Sequence, residues 1–147
     1  MKDYTTEVLE TVCNRYLWEM LALPLGAAFV LGGTCQGGIL ALAMARRLKQ
    51  IGRTPLLLAL LEWSYSYGSY SEPTLLIYGE QSYTAEIYRR PEKSKINWRD
   101  DFSRSVVASI PGKHEELAWK DDSVACVAKI LSEQCWTGNA SNTAGRS

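Results

Sequence analysis

The sequence predicts an α/β fold, a mostly parallel sheet of about four strands with helices on both faces. Short continuous apolar runs that suit strands buried on both sides, helical periods alternating with them, and glycines at the junctions all point that way. From Thr5 to Leu23, apolar residues recur at Val8, Leu9, Val12, Tyr16, Leu17, Met20 and Leu21, a helical period that Pro24 and Gly26 end. Ala27–Leu31 reads as a short strand closed by Gly32 and Gly33. Behind it Ile39–Ile51, rich in Ala, Leu, Met, Arg and Lys, reads as a helix stopped by Gly52.

Thr54–Leu61 is the second strand and stops at Glu62, after which the aromatic, Ser-rich stretch Trp63–Ser71 reads as a loop. Pro73–Tyr78 is a third strand, Ser82–Arg89 a short helix, Ser105–Ile110 a fourth strand and Val124–Leu131 a closing amphipathic helix. The chain has 147 residues, 46% hydrophobic and 22% charged, which suits one domain, placed at 1–136. Residues 137–147 are small and polar with no apolar period and are expected to be a disordered tail.

Sixteen basic residues balance sixteen acidic ones, so the charge predicts neither a nucleic-acid footprint nor attraction to an anionic membrane. The apolar stretches Leu21–Leu31 and Pro55–Leu61 are too short or too interrupted to span a bilayer. Lys2, Asp3 and Glu7 stand where a secretory signal needs an apolar core, so an intracellular, cytoplasmic protein with reduced thiols is expected. Cys13, Cys35, Cys126 and Cys135 have no zinc or Cys-x-x-Cys spacing, so no metal site is expected. Cys13 and Cys126 fall in helical patterns as small buried hydrophobes.

Cys35 differs from the other three. Gly33-Thr34-Cys35-Gln36-Gly37 fits Gly-x-nucleophile-x-Gly between a strand and a helix, with Cys in place of Ser. Such a turn strains the nucleophile's backbone and needs glycines for the neighbouring chain to pass. A thiol there faces unpaired helix amides, which favour a thiolate, and the Gln36 amide becomes an oxyanion donor. The competing reading is a glycine-rich turn that buries a cysteine. His114, the one histidine, lies just past the fourth strand in Ile110-Pro111-Gly112-Lys113-His114, where a base belongs. The acid then lies between them, as Glu62 at the end of the second strand or Glu80 after the third. Glu62 is preferred, because the position after the third strand that commonly holds an acid holds Ser82 here.

These pieces occur in one order: Phe29–Gly38 around the elbow, Ala43–Leu48 in the helix behind it, Gly52 followed by Leu56–Glu62, and Pro111–Leu117 around the histidine. In them the chain resembles, over residues 5–134, the thioesterase domains that close nonribosomal peptide and polyketide assembly lines, members of the α/β-hydrolase superfamily. The resemblance implies a reduced α/β-hydrolase fold and a triad of Cys35, Glu62 and His114. It implies hydrolysis of acyl or peptidyl thioesters held on a carrier protein's phosphopantetheine arm, with no cofactor of the enzyme's own. Relative to that family the chain is expected to be truncated at its N-terminus, lacking the first strands and a second oxyanion amide whose place is upstream of Met1, and to lack the lid domain, with Glu62 in place of Asp.

Tyr65 and Tyr67, in the loop at the place of the lid, are the expected substrate contacts. The alternative to an enzyme is a catalytically impaired fragment that binds a carrier protein, or a partner chain that completes the sheet beside the first strand.

Overall fold

The computed structural model describes residues 5–24 and 26–143, and of 136–143 the backbone alone. In chain order it comprises α1 (Thr6–Leu21), β1 (Val30–Thr34), α2 (Gln36–Gln50), β2 (Leu57–Leu61) and β3 (Thr74–Gly79). There follow α3 (Ala85–Arg89), a 3-10 turn (Pro91–Lys93), α4 (Trp98–Asp101), β4 (Ser105–Ile110) and α5 (Asp121–Thr143).

The four strands form one sheet in the order β1-β2-β3-β4, every pair parallel. This is the α/β architecture expected from the sequence. Parallel neighbours in sequential order require each connection to cross the sheet with the same hand, so the connections share one face. Alternation along the strands supplies a core for each face. Leu58, Leu60 and Leu76 point into the first core with Ile39, Leu42 and Ala45 of α2, Trp63 and Tyr70 of the β2–β3 loop, and Tyr88, Trp98 and Phe102 of the β3–β4 crossover. Leu57, Leu75, Ile77 and Ile110 point to the other face, where Leu117 and the α5 residues Val127, Ile130 and Leu131 cover them.

Several boundaries differ from expectation, each for a local reason. β1 begins at Val30 and continues through both glycines to Thr34, because its backbone stays in register with β2, Gly32 opposite Ala59. A Cβ on Gly32 would lie 3.3 Å from the Ala59 carbonyl oxygen, so the glycine helps the strands approach. α2 starts at Gln36 and takes Gly37 and Gly38 into its first turn, and at Gly38 close packing under Trp63 outweighs poor helix propensity. The short helix begins only at Ala85, since the Ser82 and Thr84 hydroxyls are engaged elsewhere.

α1 is capped by Thr5, whose hydroxyl accepts from the Val8 N–H at 3.3 Å, and it packs against α2 through buried Cys13. Cys126 is half-buried and packs against the second core. α5 is longer than the expected Val124–Leu131 and takes in 137–143 of the stretch expected to be a disordered tail. Extending a nucleated helix costs little where no Pro intervenes. The last part of that tail, 144–147, lies outside the described residues. Among the described residues no helix is long and apolar enough to cross a membrane.

Candidate active site

The C-terminal edge of a parallel sheet is where such folds bind ligands, since each strand delivers the next residue there. Thr34 of β1, Leu61 of β2 and Ile77 of β3 stand abreast, as do Gly79 of β3 and Ile110 of β4. The residues that follow these, Cys35, Glu62, Gly79–Thr84 and His114, therefore share one edge.

Cys35 occupies φ 53, ψ −122, a region that non-glycine residues rarely hold. Its N–H donates to the Leu61 carbonyl at 3.0 Å, and its own carbonyl accepts from the Gly38 N–H at 3.0 Å, so the turn is held from both sides. A Cβ on Gly33 would fall 2.2 Å from the Gly37 carbonyl oxygen, whereas one on Gly37 would meet nothing within 4 Å. The elbow's steric requirement thus rests on Gly33 rather than equally on both glycines. Cys35 is half-buried, whereas the competing reading buries it.

Glu62 also sits at positive φ, 59°, directly after β2. Its side chain is wholly buried, and its charge is met by hydrogen bonds from every side. Oε1 accepts from the Gly79 N–H at 2.6 Å. Oε2 accepts from the Thr84 hydroxyl at 2.8 Å, from the Ser82 hydroxyl, and lies 2.7 Å from His114 Nδ1. A carboxylate that already accepts from three donors is an acceptor towards the imidazole as well, so Nδ1–H donates and Nε2 is the nitrogen left to face the open edge.

The histidine loop is anchored to the loop after β3. Gly112 N–H donates to Gln81 Oε1 at 2.6 Å, and Gln81 N–H donates to the Gly112 carbonyl at 3.1 Å. A Cβ on Gly79 would meet that same carbonyl oxygen at 2.5 Å, so the two loops touch through backbone. Glu116 then turns the chain back by accepting from the Lys113 N–H at 3.0 Å, a bond that with Lys113 and Lys120 holds its carboxyl below the ordinary range.

Two tyrosines flank the sulfur. Tyr65 Oη lies 3.3 Å from Cys35 Sγ. The Tyr83 ring lies 4.8 Å from the His114 ring, and its hydroxyl faces Ser64 and Cys35. Partial burial first, then Cys35 and the charge of Glu62, raise the Tyr83 phenol above its ordinary range.

The sequence-derived residues therefore meet unevenly. Glu62 and His114 are in contact, and Cys35 is in contact with Tyr65; Tyr83 joins the two pairs, in place of a Cys35–His114 hydrogen bond among the described residues. The Gln36 amide opens α2 at the elbow, a position without an intrahelical acceptor. Tyr67 stands one ring further out, 6.2 Å from Tyr65, with its carbonyl held by Arg46 of α2 at 2.8 Å. Glu80 is exposed and accepts from the Ser109 hydroxyl at 3.2 Å, away from His114. Ser82, Thr84, Tyr83 and Gln81 were missed by sequence reasoning. The Ser-x-Thr pair just past the glycine that ends β3 is the signal that marks two of them. Among the described residues no cluster of His, Cys, Asp and Glu is arranged to hold a metal ion.

The family model described as thioesterase domain matches residues 3–89, more than half of the chain. No curated protein matches it. Among solved structures, ClbQ from the colibactin NRPS/PKS pathway is similar at TM-score 0.67 and 10% identity, over 90% of this chain and 78% of that one. The NocB thioesterase domain from the nocardicin cluster gives 0.66 and 18%, over 90% and 77%. A four-domain nonribosomal peptide synthetase, holo-AB3403, gives 0.66 and 13%, over 85% of this chain, which spans 16% of that much longer one.

Proposed function

We propose, from the premise that this chain belongs to the thioesterase-domain family, that it hydrolyses acyl or peptidyl thioesters with Cys35 as nucleophile, His114 as base and Glu62 as the acid that orients it. The observation that carries this reading is the 2.7 Å contact of buried Glu62 with His114 at the sheet edge that also holds the Cys35 elbow. The similar structures include a nonribosomal peptide synthetase and a protein of an NRPS/PKS pathway, which favours a substrate carried on the phosphopantetheine arm of an acyl or peptidyl carrier protein.

In the proposed reaction His114 Nε2 takes the Cys35 proton as Sγ bonds the thioester carbonyl carbon, and the carbonyl electron pair moves onto oxygen. Collapse of that tetrahedral adduct breaks the bond to the pantetheine sulfur, which leaves with the proton held by His114. Water then gives a proton to the imidazole and attacks the acyl-enzyme. The second adduct releases the carboxylic acid and returns the proton to Cys35. Glu62 keeps the proton-bearing nitrogen turned inward and offsets the imidazolium charge in both halves.

A catalytically impaired module that pairs with a carrier or partner chain is the second reading. It draws on β1 standing at the edge of the sheet with Val30 39% exposed. Release of acid from short-chain acyl-pantetheine thioesters by the purified chain, beside Cys35→Ala and His114→Ala, separates the two. Turnover lost in both variants supports the enzyme; turnover absent from the wild-type chain, or kept by Cys35→Ala, overturns it.

A further inference from the structure

Resting on the assignment of Cys35 as nucleophile, we infer that the Tyr65 hydroxyl is a side-chain donor of the oxyanion hole, acting beside the Gln36 amide. Tyr65 Oη lies 3.3 Å from Cys35 Sγ. When Sγ bonds the carbonyl carbon, the developing oxyanion is two bonds from the sulfur. A hydroxyl already against the sulfur can turn its O–H about the Cζ–Oη bond towards that oxygen. Oxyanion donors work at roughly 2.7–3.1 Å from that oxygen.

The direction of charge flow makes this contact catalytic rather than merely attractive. As the adduct forms, the Cys35 proton passes to His114 and negative charge collects on the carbonyl oxygen. A phenol donates more strongly to an oxyanion than to a large, soft thiolate, so the interaction tightens towards the transition state. Preorganisation is supplied by the packing. The Tyr65 ring meets Trp63 edge-on at 5.4 Å, and Trp63 is buried against Phe102 and against Gly38 of the elbow helix. Arg46 of the same helix holds the loop through the Tyr67 and Ser69 carbonyls at 2.8–3.1 Å. Hydroxyl and nucleophile are therefore fixed to one body.

Tyr83 is the weaker candidate for this role. It is 63% exposed, its hydroxyl is shared with Ser64, and its ring lies on His114, which suits positioning the imidazole.

The test is Tyr65→Phe, assayed on acyl-pantetheine thioesters alongside Cys35→Ala, with the pH dependence of Cys35 labelling by iodoacetamide measured on the same protein. Expected is a fall in kcat on the order of 100-fold, with KM nearly unchanged. The deficit should persist at pH values where labelling has reached its plateau. A deficit that disappears there means that the hydroxyl serves only the thiolate, and the inference falls. Binding of an acyl aldehyde, whose hemithioacetal puts an oxygen in the same place, gives a readout that needs no turnover. It should weaken in Tyr65→Phe by a similar factor, while the matching alcohol binds as before; equal aldehyde binding overturns the inference. Full activity in Tyr65→Phe with none in Cys35→Ala removes the Tyr65 role and leaves the nucleophile standing. Activity retained by Cys35→Ala removes both.

Discussion

Glu62 and His114 are 52 residues apart in sequence and 2.7 Å apart in space, and the carboxylate that makes the contact is wholly buried. Replacing Glu62 by Gln keeps the volume but presents an amide where Gly79, Ser82, Thr84 and His114 all donate. The imidazole loses its orienting charge and its tautomer is no longer fixed. For Glu62→Gln a loss of kcat/KM on the order of 10³- to 10⁴-fold is expected, the size seen for acid-to-amide changes in such triads. Repelled donors should also lower stability by about 1–3 kcal/mol, read from the denaturant midpoint. Activity within tenfold of wild type would remove Glu62 from the site.

Glu80 supplies the contrast. It is exposed, and its carboxylate meets Ser109 rather than the histidine. An exposed neutral-to-charged hydrogen bond of this kind contributes little. Glu80→Gln should leave both kcat/KM within about twofold and stability within about 0.5 kcal/mol of wild type. A catalytic deficit approaching that of Glu62→Gln would reverse the assignment of the acid.

How much of this was visible in the sequence depends on the range of the interaction that decides each feature. The strands were legible because Leu57–Leu61 and Leu75–Ile77 are apolar on both faces, a pattern set by burial. The elbow was legible because strand, glycines and helix are contiguous at Cys35. The choice between Glu62 and Glu80 rests on an absence, since Ser82 occupies the position after β3 that commonly holds an acid. What the sequence could not express was that Ser82 and Thr84 would turn back to hold the carboxylate standing in for that acid. Nor could it place Tyr65, 30 residues from Cys35, against the sulfur, since the path of the loop is set by Arg46 and Trp63. The 3-10 turn at Pro91–Lys93 and the single turn of α4 were invisible for a similar reason, being too short to show a period.

At the opposite end of β3, Glu72 ties three segments together, with Lys49 Nζ at 2.7 Å and Arg104 Nη1 at 3.6 Å. The Lys49 hydrogen bond first, then the charges of Lys49 and Arg104, hold its carboxyl below the ordinary 4.5 against the opposing effect of burial. A depressed folded value means that the stabilisation is complete above pH 4.5 and is lost as pH falls through the lower folded value. Glu72→Gln should therefore lower Tm at neutral pH, by less than the equivalent of about 1 kcal/mol for so accessible a network. The gap between the variant and wild type should close on acidification. A gap that stays constant down to acid pH would mean that this carboxylate is not the linked group.

The two elbow glycines give predictions of opposite sign. At Gly33 a methyl group would lie 2.2 Å from the Gly37 carbonyl oxygen and 2.6 Å from the Gly38 nitrogen. Both are backbone atoms of the turn that presents Cys35, so neither can rotate aside, and relief requires α2 to move off β1. Gly33→Ala should cost about 3 kcal/mol or more, beyond the usual range for a single methyl. Any folded fraction should show an altered rate of Cys35 alkylation. At Gly37 the methyl group enters open space on the first turn of a helix. There the lost flexibility of the unfolded chain favours the alanine, and Gly37→Ala should raise stability by about 0.4–1 kcal/mol. Measuring both variants by denaturant titration tests the elbow geometry directly: equal effects at the two positions would mean that Gly33 and Gly37 do not approach as closely as this turn requires.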